Sequence, residues 1–119
     1  MERLRAKRLR EALAAAALIN TMMQDQTLEG FLADEWFRSA VERKLEIIGE
    51  ALNSVRRMDP AISERFPTIH EWPALRNALS HVYFEIDNEV IWVTATRGIP
   101  DLIDTLNMLL VVDGNENER

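Results

Sequence analysis

Cysteine is absent from the 119 residues, which excludes a disulfide framework, cysteine-ligated zinc and a thiol nucleophile, and suits a reducing cytoplasm. Histidine is scarce as well. Only His70 and His81 can carry protons near neutral pH, and neither sits in a His-x-x-x-His pair or an Asp-rich loop, so no metal site and no cofactor is predicted. Four glycines and four prolines are too few for a collagenous or low-complexity chain. The longest aliphatic stretch, Ala12 to Ile19, is too short to span a bilayer, which needs about 18 or more apolar residues. What remains is one soluble globular domain with a single core.

Bulk positive charge is also missing. Fourteen Lys and Arg face 20 Asp and Glu, a net of −6, which argues against a protein that coats nucleic acid by general attraction. The average hides an asymmetry. Met1 to Arg10 sets Arg3, Arg5, Lys7, Arg8 and Arg10 against Glu2 alone, while Glu85 to Arg119 has eight acids against Arg97 and Arg119. The basic start followed by Ala12 to Ile19 superficially resembles a signal peptide. However, Leu4, Arg8, Glu11, Ala15, Leu18 and Met22 fall at three- and four-residue steps, so an amphipathic helix is expected instead.

Strand signals are nearly lacking, since no alternating run is bounded by Asn-Gly or Asp-Gly turns, and the fold is predicted to be all-α. The first helix should span roughly Glu2 to Met23, with turn or cap residues Thr27, Glu29 and Gly30 after it. Phe37, Val41, Leu45, Ile48, Leu52 and Val55 stripe a second helix from about Phe31 to Met58. Trp36, Ala40, Ile47 and Ala51 form an adjoining apolar stripe that should touch another neighbour. Trp36 and Trp92 both read as core. Gly49, inside this helix, suggests a close backbone approach. Pro73 fits the first turn of a third helix reaching Tyr83. Asp87 should cap a fourth, which Pro100 should kink and whose buried face holds Ile91, Trp92, Ala95, Ile99, Leu102, Leu106 and Leu109. A single domain over residues 1–112 would leave Asp113 to Arg119 as a flexible C-terminal tail.

The most informative stretch is Arg76-Asn77-Ala78-Leu79-Ser80-His81-Val82-Tyr83. With the second-helix pattern around Ala40 to Leu52, the approach from Phe66-Pro67 to Trp72, and the run through Ile86-Asp87 and Val90-Ile91-Trp92 to Ile99-Pro100, it resembles the HEPN superfamily. Within that superfamily it is similar to the HepT toxins of MntA-HepT toxin-antitoxin systems, whose signature is R-x-x-x-x-H-x-Y. The resemblance covers roughly Leu28 to Leu110, and the basic, Ala-rich first helix departs from it.

The resemblance implies an up-and-down bundle of four main helices plus short helical turns, and a homodimer with a composite site between protomers. It implies an endoribonuclease toxin that cuts tRNA or mRNA and is silenced when an MntA-like nucleotidyltransferase antitoxin AMPylates the motif tyrosine, here Tyr83. Arg76 and His81 would be catalytic and Asn77 supporting.

Read from the residues alone, RNA cleavage makes chemical sense. An imidazole moves protons near neutral pH, a guanidinium stabilises charge on a phosphate, and the RNA's 2'-hydroxyl can serve as the nucleophile without a metal. On a regular helix Arg76 and His81 would lie roughly 140° apart, so convergence needs the long Arg stem, a distorted helix end or a second subunit.

Each residue also has a structural role open to it. His81 could close a helix end, Arg76 could pair with Glu71 or Glu50, and Tyr83 could be half-buried. Arg38, Arg43, Arg56, Arg57 and the basic N-terminus are candidates for guiding RNA or holding an acidic partner. The alternative to a nuclease is a non-catalytic HEPN nucleotide-binding or scaffold module of a nucleotidyltransferase system.

Overall fold

The computed structural model describes residues 2–81 and 86–117, with side chains through residue 112 of the last helix. Its elements run in the order α1 (Glu2–Met23), α2 (Leu28–Ala33), α3 (Glu35–Met58), a 3-10 turn (Pro60–Glu64), α4 (Glu71–Ser80), α5 (Asn88–Val93), a π turn (Thr94–Gly98) and α6 (Ile99–Asn117). No strand occurs among the described residues, as the all-α expectation requires.

The core is built by α1, α3 and α6, with α1 packed against both of the others. On α3 the buried residues are Val41, Leu45, Ile48, Gly49, Ala51, Leu52 and Val55, which include the predicted stripe except Phe37, itself partly buried against the core. Ile91, Ala95, Ile99, Leu102, Leu106 and Leu109 supply the last helix's buried face, also as predicted. On α1 the buried set is Arg5, Ala6, Leu9, Ala12, Ala15, Ala16, Ile19 and Met23. Of the expected stripe Ala15 is buried and Met22 packs on the core, but most of the buried set lies one residue away, about 100° around the helix, and Leu4 and Leu18 are exposed. The alanines carry little hydrophobic signal, and Arg5 disguised the true face. Its guanidinium is the buried charged group among the described residues, and it donates to Asp59 at 2.8 Å, tying the start of α1 to the end of α3.

The expected second helix is divided. Thr27 caps α2, its hydroxyl accepting from the Gly30 amide at 3.0 Å. Asp34 then ends α2 and caps α3 by accepting from the Phe37 amide at 3.0 Å. Phe31, fully buried, secures this elbow, edge-on to Phe37 at 6.1 Å and tilted against Trp92 at 5.5 Å. Arg38 donates to the carbonyls of Phe31 and Leu32, satisfying helix-end acceptors. Trp92 thus joins the core as expected, but Trp36 does not. On the first turn of α3, Trp36 is 90% exposed, and Ala40 one turn on is exposed as well, whereas Ile47 and Ala51 of the same stripe pack on the core, so the stripe is covered only along its later turns.

In the last helix Asp87 caps α5 as predicted, accepting from the Glu89 amide at 2.9 Å. In place of a simple kink at Pro100 the chain forms a π turn, in which the Ile99 amide reaches back five residues to the Thr94 carbonyl. Proline offers no amide and crowds the preceding turn, and the widened turn absorbs both effects. The helix then continues to Asn117, past the expected start of a tail at Asp113.

Candidate active site

Arg76 and Asn77 of the motif lie on α4 (Glu71–Ser80), which starts two residues before the expected Pro73 and ends short of the expected Tyr83. Pro73 stands in its first turn, where a missing amide costs nothing. The seat of α4 is Gly49. A β-carbon there would lie 2.4 Å from Cβ of Arg76 and 2.7 Å from the Trp72 carbonyl oxygen, so α3 and α4 touch where only a hydrogen fits. The close approach expected from the sequence is real, and it fixes the base of the Arg76 side chain.

Arg76 is half-buried, and its Nη1 donates to Oδ1 of the exposed Asn77 at 3.2 Å. Neither Glu71 nor Glu50 pairs with it; the partner is a neutral amide, which orients the guanidinium without cancelling its charge. Ser80 is the last helical residue. His81 follows with φ −90° and ψ 120°, an extended conformation, its amide donating to the Ala78 carbonyl at 3.3 Å. The imidazole is therefore not on the helix at all, and the 140° separation expected from helical geometry does not apply. His81 is exposed. Tyr83 lies outside the described residues, as does the expected end of the third helix.

Beside α4 opens a cleft of about 290 Å³ lined by Glu71, Trp72, Leu75, Val93, Thr94 and Gly98. No sequence signal marked it, because its walls come from α4, α5 and the π turn. A second groove of about 320 Å³ between α1 and α3 contains Arg8, Glu11, Glu50, Ser54 and Arg57. Arg8 there is held by both oxygens of Glu11 at 2.9 Å.

Several candidate guiding residues are already engaged. Arg5 is buried on Asp59, Arg38 holds carbonyls, Arg43 faces Glu46 at 3.4 Å and Arg56 donates to Asn53 at 2.9 Å. Glu42, half-buried on α3, has its carboxyl held above the ordinary glutamate range. Burial is the main cause, opposed by the nearby Arg38 and reinforced by Glu46. Among the described residues no three His, Asp or Glu side chains gather as metal ligands, and no helix is long and apolar enough to cross a membrane.

Comparison with known proteins identifies the family. The family described as "Ribonuclease HepT-like" matches residues 12–109. The chain is 36% identical over 106 residues to "Probable ribonuclease HepT" of Thermococcus cleftensis, covering 86% of this chain and 92% of that one. It is 32% identical over 98 residues to "Putative RNase MJ0127" of Methanocaldococcus jannaschii, covering 80% and 78% respectively. No solved structure matches it. With an all-α bundle, a motif helix seated on Gly49 and a match over most of its length, the chain belongs to the HepT-like family of HEPN ribonucleases.

Proposed function

We propose that this protein is the toxin of a toxin-antitoxin pair, an endoribonuclease that cleaves RNA without a metal at a site completed by a second copy of the chain. The observation that carries this reading is the pairing of Arg76 with Asn77 next to an exposed His81 at the end of α4. A guanidinium held by an amide keeps its full charge for a phosphate. His81 takes the proton of the 2'-hydroxyl as it attacks the adjacent phosphorus, and Arg76 stabilises the phosphorane. A second imidazole then protonates the departing 5'-oxygen, leaving a 2',3'-cyclic phosphate.

One chain supplies one such imidazole, and a two-fold dimer supplies the other. Tyr83, two residues beyond His81, is the proposed acceptor for AMP from a cognate MntA-like nucleotidyltransferase. The added phosphate would compete with RNA for Arg76 and block the cleft. The proposed setting is the cytoplasm, with tRNA or mRNA as substrate.

The test is cleavage of tRNA and mRNA in EDTA by protein of verified unmodified mass, with wild type and His81→Ala compared and sedimentation run in parallel. Cleavage by the wild-type dimer, lost in His81→Ala without a change in melting, supports the reading. Cleavage by a monomer overturns the composite site. A confirmed, unmodified dimer that cleaves neither RNA is instead a nucleotide-binding or scaffold module.

A further inference from the structure

The elbow between α2 and α3 carries several exposed apolar side chains. Trp36 is 90% exposed, and Leu28 and Leu32, one turn apart on α2, are each 37% exposed. Val90 on α5, which packs on α2, adds a side chain 51% exposed. The flanking charge is of one sign. From Gln24 to Phe37 the chain contains Asp25, Glu29, Asp34 and Glu35, all exposed, and no Lys or Arg. The nearest cation, Arg38, is engaged by the carbonyls of Phe31 and Leu32.

An exposed tryptophan beside a helix with exposed leucines is the composition of an interface anchor, and the charge decides what it anchors. Four carboxylates with no cation repel a phosphate backbone, so Trp36 is not a stacking platform for RNA. They also repel a second copy of themselves, so a two-fold axis through the elbow would place like charge against like charge. The chain's own exposed cations are Arg43, which faces Glu46, Arg57, Arg65 and Arg97, with Arg3, Lys7 and Arg10 near the start of α1. The Arg5–Asp59 pair holds that start against the end of α3, the opposite end of α3 from the elbow.

We infer that the α2–α3 elbow is a docking surface for a different protein, one presenting a cationic amphipathic helix whose apolar side covers Trp36, Leu28 and Leu32. The elbow's carboxylates supply steering and register, and the buried indole supplies most of the hold. The inference goes beyond ribonuclease activity and does not depend on it.

The protein contains its own reporter. Trp72 is buried and Trp92 packs on Phe31, which leaves Trp36 as the exposed indole. The experiment titrates the full-length protein with a helical Lys/Leu peptide, its Glu/Leu counterpart and tRNA, following tryptophan emission and heat of binding. Expected is saturable one-to-one binding of the Lys/Leu peptide alone, with a blue shift and an affinity that falls as salt rises. Trp36→Ser should weaken it roughly tenfold or more, and Glu29→Gln with Glu35→Gln should flatten the salt dependence. Because Trp36 is exposed, Trp36→Ser should leave the melting temperature unchanged.

Absence of saturable binding overturns the inference, as does equal binding of the acidic peptide or binding that survives Trp36→Ser. If tRNA quenches Trp36, the elbow is an RNA surface. If Trp36→Ser converts a sedimenting dimer to monomer, it is a contact between copies. Either result overturns the inference too.

Discussion

Glu42 shows how one residue's surroundings become a dependence on pH. Its carboxyl is raised mainly by burial, so its ionised form is less welcome in the folded chain than in the unfolded one. The folded state binds this proton more tightly. The group's contribution to stability is therefore fully present below the ordinary carboxylate range and is lost as pH rises through the elevated value. Glu42→Gln should raise the melting temperature at about pH 7 and leave it unchanged at about pH 3, where both forms are neutral. A rise of equal size at both pH values would mean that the carboxyl's charge is not what costs stability.

Contact between elements turns on a glycine at one position and not at another. Gly49→Ala should destabilise the fold by about 1–3 kcal/mol, because the new methyl meets the Trp72 carbonyl and Cβ of Arg76, neither of which can swing away. Gly98→Ala finds only ordinary contacts, 3.7 Å from Thr94 and Trp72 side chains, and should be neutral or stabilising by up to about 1 kcal/mol. Chemical denaturation of both variants separates close packing from glycine's general helical cost. Equal losses would show that the α3–α4 contact is not special. The sequence made Gly49, the Asp87 cap and the buried stripes of α3 and α6 legible, because each is written in local periodicity or residue type. It hid the exposure of Trp36 and the break at Asp34, whose residue type suits a helix surface as well as a cap. It also hid the end of α4 at Ser80: nothing in the residue types of Ser80 and His81 forbids another turn, yet the backbone at His81 is extended.

Across the whole molecule, the ends of α1 and α3 are held together by a buried ion pair. Arg5 is 8% exposed and Asp59 receives it at 2.8 Å, with Arg65 at 3.9 Å on the same carboxylate. Asp59→Ala would take one carboxylate from a guanidinium that is only 8% exposed and should cost about 1–3 kcal/mol, measured as a drop in the denaturant midpoint. Arg5→Met combined with Asp59→Ala should recover much of that loss, since the buried guanidinium that Asp59 served is then replaced by an apolar side chain. A double variant as unstable as Asp59→Ala alone would place the effect elsewhere. The basic residues that looked like an RNA lure in the sequence thus include a bolt of the fold, and the net charge of −6 leaves attraction of RNA to local groups.

The two halves of the motif, meanwhile, belong to different mechanical parts. Arg76 is bolted to a short rod by the α3–α4 contact, whereas His81 is the first residue of the connection that follows it. An insertion between Ser80 and His81 would therefore reposition the imidazole while the guanidinium stays where it is, so the spacing of the two side chains can change without rebuilding the bundle.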